Sequence, residues 1–163
     1  MERIKLVKIT DITPSEYSVK ENAEKFIKMK IDNFILRFGQ HQTILTAQVN
    51  GVNKILDGNQ MYDSLVRLGK EECWCCDLGE MDEREYFSYR IFLNHNTNRL
   101  NYIEIAEMVN KVSNSEHDLQ FISNITGISI IDIRRYKDLL QFDWEAFAKS
   151  PINEAQLDLF GEF

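Results

Sequence analysis

The chain has no excess of basic charge to offer a nucleic acid. Its 19 lysines and arginines are outnumbered by 26 aspartates and glutamates, which leaves a net charge of −7. Because neutralising phosphates requires clustered basic side chains, this balance argues against a strong autonomous nucleic-acid binder. Any contact with DNA is then made by a local patch or supplied by a partner.

Long apolar runs are also missing. No stretch approaches the roughly 20 apolar residues that span a bilayer, and the N-terminal MERIKLVKITDI is too short and too charged for a signal peptide. We therefore expect a cytoplasmic protein with no membrane partner.

Cysteine is scarce, and its three copies, Cys73, Cys75 and Cys76, fall in one predicted strand. They are too few for a disulfide framework or a complete zinc site, and clustered thiols suit a reducing compartment. Alternation along a strand places Cys73 and Cys75 on one face and Cys76 on the other. We interpret them as small core residues, and we predict no metal site.

The pattern of apolar residues predicts an α+β fold with a small mixed β-sheet and flanking helices. Strands are expected at 4–9, 44–49, 52–56 and 72–77, with helices at 20–38, after Gly58, at 80–94 and from residue 102. A further helical turn is predicted where Thr13 caps Pro14. Core stripes are expected on two helices, comprising Phe26, Ile27, Ile31, Phe34, Ile35 and Phe38 on the first, and Tyr86, Phe87, Tyr89, Ile91, Phe92 and Leu93 on the second.

The most informative segment is the turn Asp57-Gly58-Asn59, where a strand runs directly into a helix. A glycine at such a turn lets the backbone approach a ligand closely, and the N–H groups at the helix start favour an anion such as phosphate. Because Asp-Gly before a helix is common, the turn alone is a weak signal.

Two flanking segments make the signal more specific, and together the three resemble the N-terminal domain of the ParB/sulfiredoxin superfamily over residues 1–112. ParB-like proteins carry Gly-x-x-x-Pro, Gly-Glu-Arg-Arg and Glu-Asn-x-x-Arg at these places, in this order. The counterparts are 39–43, which ends in Thr43 instead of proline, then 58–61, and then 95–99, which begins with His95 instead of glutamate.

The resemblance implies a site for CTP or another nucleotide with Mg²⁺, built from Gly39, Asp57, Gly58, Asn59, Gln60, Asn96, Asn98 and Arg99. The chain lacks both arginines of the family's turn, which are the bidentate donors best suited to a triphosphate. Binding of a phosphate-bearing ligand therefore stays open, while hydrolysis is disfavoured. Sulfiredoxins have cysteine at the place of Asn59, so a redox enzyme is disfavoured as well.

Residues 113–149 are predicted as a second, helical unit resembling a helix-turn-helix, with Gly127 in the turn and Ser129 capping the following helix. In a DNA-reading version Arg134 and Lys137 meet phosphates, while the groove is approached by Ser129, Asp132, Arg135 and Tyr136. The alternative is a plain helical hairpin packed on the main domain, which the acidic Asp132, Asp138 and Asp143 favour. Phage and mobile-element ParB-like proteins resemble this segment at 126–129 and 139–144.

The third unit, a flexible tail at 150–163, contains a sequence that resembles the bacterial sliding-clamp-binding peptide. Leu157, Leu159 and Phe160 would enter an apolar clamp groove, and Gln156 would fix the register. The alternative is that these apolar residues fold back on the protein itself.

These features lead to three hypotheses. The first is a ParB-like, DNA-associated accessory protein that binds a nucleotide or phosphate and is tethered to the sliding clamp. The second is a residual nucleotidase or nuclease at the same site, for which no catalytic residue can be assigned. The third is a non-catalytic interaction module. Self-association stays open under all three.

Overall fold

The secondary structure follows the order that the sequence predicts. The computed structural model describes residues 3–15, 25–95 and 102–141. The elements are β1 (Ile4–Lys8), a 3-10 turn (Ile9–Asp11), α1 (Lys25–Phe38), β2 (Ile44–Val49), β3 (Val52–Asp57), α2 (Asn59–Arg67), β4 (Glu72–Glu80), α3 (Glu83–His95), α4 (Tyr102–Val112), α5 (Glu116–Thr126) and α6 (Ile130–Leu139).

The four strands form one mixed sheet in the order β1-β4-β2-β3. β2 runs parallel to β4, and the other two pairs are antiparallel. Asn50 (φ 52°) and Gly51 (φ 76°) join β2 to β3 in left-handed conformations, which suit a tight hairpin. The predicted α+β fold with a small mixed sheet is confirmed.

The helical turn predicted at Thr13 and Pro14 is wrong. The N–H of Thr13 donates to the Asn53 carbonyl (2.8 Å), and its own carbonyl accepts from Ile55 (3.0 Å), so the segment runs as an extended partner along β3. Pro14 and Ser15 are not helical. Pairing with the open edge of β3 bonds both the N–H and the carbonyl of Thr13, which holds the segment extended.

The sheet is covered on both faces. On one face, α1 and α2 bury a cluster that includes Ile9, Ile12, Ile35, Ile44, Ile55, Met61, Leu65, Cys73 and Cys75. On the other, the later helices bury Ala47, Val49, Leu56, Tyr86, Phe87, Ile91, Ile105, Met108, Val109, Val112, Leu119, Ile122, Ile128 and Ile133. The thiols of Cys73 and Cys75 lie 3.7 Å apart on the buried face, as predicted. The hydrogen bond between the two thiols, together with burial of the Cys75 side chain, raises the pKa of Cys75.

The predicted core stripes are wider than the surfaces that are actually covered. On α3, Tyr86 and Phe87 are buried, whereas Tyr89 and Phe92 are 38% and 39% exposed. On α1, Ile35 is buried, but Phe34 and Phe38 are 41% and 63% exposed. A helix lying on a sheet presents only one side to it, so aromatic residues beyond that side remain in solvent. The side chains of Phe26 and Ile27 lie outside the described residues.

The helices after residue 112 share their core with the preceding domain. α5 packs on α3 and α6 packs on α4, and Leu119, Ile122 and Ile133 belong to the same cluster as the sheet residue Val49. The predicted caps are present, because Gly127 is left-handed (φ 74°) and the Ser129 hydroxyl accepts the Asp132 N–H. The boundary at residue 112 stays a prediction, and residues 142–163 lie outside the described part. No helix among the described residues is long and apolar enough to cross a membrane.

Candidate functional site

The turn between β3 and α2 requires glycine at its centre. Gly58 has φ 105° and ψ 19°, a left-handed conformation, and its N–H donates to the Asp57 carboxylate at 2.8 Å. A Cβ atom at this position would lie 3.3 Å from the Cα of Ile44, the first residue of β2. The turn therefore combines positive φ with close packing of the backbone against a neighbouring strand.

The N-terminus of α2 lies at this turn. No side chain caps α2 within the described residues. The N–H groups of Asn59, Gln60 and Met61 begin the helix and have no acceptor inside it, so they are available to an anion. The side-chain amide oxygen (Oδ1) of Asn59 accepts the N–H of Ser15 at 3.2 Å, which places 13–15 beside the turn.

The predicted 39–43 segment leads into Ile44, and Ile44 packs against the turn at Gly58. Gly39 ends α1 with φ 79°, and its N–H donates to the Ile35 carbonyl at 2.9 Å. The Gln40 side-chain amide then donates to the Trp74 carbonyl and accepts the Trp74 N–H, both at 2.8 Å. This pair of bonds docks the loop on β4 immediately before β2 begins, and Ile44 packs against Gly58.

Sequence reasoning missed an arginine that anchors β3 just before the turn. Arg90 of α3 is 1% exposed and donates from Nη1 to the Ile55 carbonyl at 3.0 Å, where the Tyr86 hydroxyl also donates at 2.8 Å. Asn94 donates to the Arg90 carbonyl at 2.7 Å. The helical phase could have revealed this, because Tyr86, Arg90 and Asn94 follow at intervals of four on the buried side.

The third predicted segment begins at a cleft. His95 ends α3, and Asn96, Asn98 and Arg99 lie outside the described residues, so their part in a nucleotide site stays a prediction. The cleft has a volume of about 400 Å³ and is lined by His95, Thr126, Gly127, Ile128, Ser129, Asp132 and Tyr136. At this cleft His95, the first residue of the predicted nucleotide segment, lies near Ser129, which was predicted to contact DNA.

The predicted DNA-binding side chains of α6 are engaged within the protein. The Ser129 hydroxyl donates to the Asp132 carboxylate at 2.6 Å, and Arg135 pairs with the same carboxylate at 2.8 Å. Hydrogen bonding from Ser129 outweighs partial desolvation and, with Arg135, lowers the pKa of Asp132. Arg134 pairs with Glu116 at 2.6 Å, and Lys137 donates to the Ser113 carbonyl at 2.7 Å.

The ion pairs of Arg134 and Arg135 lie at the surface and contribute little to stability. The side chains of Arg134 and Arg135 are 54% and 77% exposed, and surface ion pairs contribute at most about 1 kcal/mol. The predicted clamp-binding residues Gln156, Leu157, Leu159 and Phe160 lie outside the described residues. Within the described residues, no group of three or more histidine, cysteine or carboxylate side chains could hold a metal ion.

Comparison with known proteins identifies the fold. No family model and no curated protein matches the sequence. Among solved structures, the chain has the fold of ParB N-terminal domains.

The particular structures are distant in sequence. A pNOB8-like ParB N-domain matches with 12% identity and TM-score 0.53, over 90% of this chain and 71% of its own. Chromosome-partitioning protein ParB from Caulobacter crescentus, complexed to the centromeric parS site, matches with 17% identity and TM-score 0.51, over 88% of this chain and 75% of its own. Sulfiredoxin from Arabidopsis thaliana matches 53% of this chain and 94% of its own at 15% identity, with a TM-score of 0.45.

Proposed function

We propose that this protein is a ParB-like, DNA-associated accessory protein whose N-terminal domain binds a nucleotide or another phosphate-bearing ligand at the turn formed by residues 57–59. The observation that carries the proposal is the glycine turn at the N-terminus of α2, which no side chain caps among the described residues. Backbone N–H groups and the helix dipole favour an anion at this position.

The chemistry of the turn favours binding over turnover. Gln60 and Met61 stand where the family's arginines would clamp a triphosphate, so charge stabilisation during hydrolysis is reduced. Asp57 places a carboxylate next to the expected phosphate, and a divalent cation would offset that repulsion. Because Mg²⁺ is commonly held by one or two carboxylates together with phosphates, the expected ligand is a nucleotide with Mg²⁺, such as CTP. Gly39, Asn96, Asn98 and Arg99 complete the proposed site.

A thermal-shift titration with CTP, ATP, GTP and their diphosphates, each with and without Mg²⁺, tests the site. A ligand at a hundred times its dissociation constant adds about 2.7 kcal/mol, which raises Tm by roughly 5–10 °C at this chain length. Arg99→Ala should abolish the shift, and Gln60→Arg should enlarge it by restoring one donor. Arg134→Ala on α6 is the control. No shift with any nucleotide would contradict the proposal.

DNA association is the second part of the proposal. The matched C. crescentus structure is complexed to a centromeric site, and here α6 would supply the contacts through Ser129, Arg134, Arg135 and Lys137. Combined Arg134→Glu and Arg135→Glu should abolish binding of duplex DNA at low salt. Binding that persists in this variant would remove α6 from the interface. The internal pairing of these arginines favours the competing interaction module, in which α6 only packs on α4.

Tethering to a bacterial sliding clamp is the third part. A terminal peptide that orders on binding should have modest affinity, about micromolar to sub-micromolar. Deleting residues 156–163 should abolish clamp binding in a titration against the purified clamp, and a scrambled tail of equal composition is the control. Equal affinity of the full chain and the deletion variant would reject tethering.

The enzymatic alternative is tested by turnover. A residual nucleotidase or nuclease should act on some nucleotide or DNA in the presence of a divalent metal and should lose activity in Arg99→Ala. Absence of turnover under all these conditions would eliminate it. Sedimentation with and without the bound nucleotide would show whether binding also drives self-association.

A further inference from the structure

We propose that the outer face of α1 is a binding platform for single-stranded nucleic acid, separate from both the 57–59 turn and α6. The face consists of Lys30, Phe34, Arg37 and Phe38, with His41 in the loop that follows; we refer to it as the α1 platform. The first four residues follow the spacing i, i+4, i+7 and i+8, so they share one side of the helix. That side is turned away from Ile35, which packs into the core.

The platform presents aromatic rings to solvent. Phe34 is 41% exposed and Phe38 is 63% exposed. The Phe34 ring lies 4.9 Å from Phe38 and 4.5 Å from His41 between centroids, in tilted and edge-on arrangements. Phe34 thereby supports its two neighbours, while Phe38 and His41 remain at the surface. Exposed rings of this kind stack bases, and the stacking tolerates any sequence because every base has a π-face.

Basic charge accompanies the rings. Arg37 is exposed and lies 5.0 Å above the Phe38 ring, and among the described residues it forms no ion pair. A base stacked at Phe38 would bring its phosphate within reach of this guanidinium. Lys30 is exposed about two helical turns before Arg37.

The local charge of α1 contrasts with that of the whole chain. The helix has four basic residues and one acidic residue, Asp32, in a protein of net charge −7. Asp32 is paired with Arg67 of α2 at 2.8 Å, away from the platform. The combination of an anionic backbone and flat bases complements this surface better than an apolar protein partner, which would gain nothing from Arg37.

Fluorescence anisotropy with labelled oligo-dT and oligo-U at low salt tests the proposal on the full chain. Phe38→Leu keeps an apolar side chain but removes the ring, and it should weaken binding by roughly fivefold to a hundredfold. Phe38→Trp should retain binding. Arg37→Gln should reduce the slope of log K against log salt by about 0.7, the value for one phosphate contact on a single strand. The two oligonucleotides show whether DNA or RNA is preferred.

Two controls separate this site from the proposed function. Phe38→Leu should leave any nucleotide-induced thermal shift unchanged, and it should also leave the binding of duplex DNA through α6 unchanged. Failure of both oligonucleotides to bind at low salt would overturn the proposal. It would equally be overturned by binding that survives Phe38→Leu, because an apolar docking face tolerates leucine and a stacking platform does not.

Discussion

The 57–59 turn and α6 were both predicted as sites, and they differ in how far their polar groups are already satisfied. At α6, the hydroxyl of Ser129 and the guanidinium groups of Arg134 and Arg135 bond to carboxylates of the same chain. At the turn, the first N–H groups of α2 have no side-chain cap within the described residues. A residue type that suits a ligand is therefore a strong indication of a site only when its polar groups are not already bonded to other residues of the chain.

Removing the buried arginine that anchors β3 should have the largest effect on this comparison. Arg90→Ala leaves a cavity beneath the turn and should lower the free energy of unfolding by about 3 kcal/mol. Tyr86→Phe is the matched control, because it removes only the second donor to the Ile55 carbonyl and should cost about 1 kcal/mol. Urea denaturation of both variants measures the difference. Equal costs would show that Arg90 does not anchor the strand.

Alanine at the two turn glycines should separate backbone strain from packing. Gly58→Ala adds a left-handed alanine and a contact with Ile44, for a cost of about 2 kcal/mol, whereas Gly127→Ala in the α5–α6 turn meets no atom within 4 Å and should cost about 1 kcal/mol. Thermal denaturation compares them. If Gly127→Ala proves the more harmful variant, close packing at Ile44 is not what restricts Gly58.

Truncation at the start of each helix should show which N-terminus is capped. Ser129→Ala removes the cap of α6 and should cost about 1 kcal/mol. Gln60→Ala, in the exposed first turn of α2, should change stability by less than about 0.5 kcal/mol. If the two variants lose similar stability in chemical denaturation, the side chains at both helix starts make comparable stabilising bonds. The contrast between a capped α6 and an uncapped α2 would then not hold.

Acid should weaken the α5–α6 region through its carboxylates. Hydrogen bonds from Ser115 and Arg84 lower the pKa of Asp118, and the hydrogen bond from Ser129 lowers that of Asp132. A depressed pKa contributes stability that is fully present above the unfolded value, about 3.9, and is lost as the pH falls through the folded value. Stability should therefore decline below about pH 4.

The asparagine variants check this assignment. Asp118→Asn and Asp132→Asn should each flatten the decline between about pH 4 and pH 2, because the variant has no proton to gain there. Glu104→Gln on α4 is the control. An unchanged slope in both variants would assign the acid sensitivity to other carboxylates.

Short-range patterns predicted much of the fold. Alternation placed Cys73 and Cys75 together on the buried face, and Asn50-Gly51 marked the hairpin. The error at Thr13 arose because its partner, β3, lies far along the chain, so a local cap motif could not reveal the pairing. The exposure of Phe38 was missed for a similar reason, since periodicity predicts a face of the helix but not how much of it is covered.

The candidate site divides in the same way. Gly58 and the helix after it were predictable, because a glycine that ends a strand and starts a helix is a local signal. The helical phase places Arg90 on the buried side of α3, but its partner was not predictable, since the Ile55 carbonyl belongs to another element.

The sequence by itself determined the order of elements, the hairpin, the helix caps and the glycine turn, because each depends on dihedral preferences and hydrogen bonds among near neighbours. Only the tertiary structure decided that Gln40 docks its loop on β4, that Arg90 supports the turn, and that the α6 arginines are paired while the rings of α1 face solvent. Those outcomes depend on contacts between residues distant in the chain, which compete for the same bonding groups and the same surface.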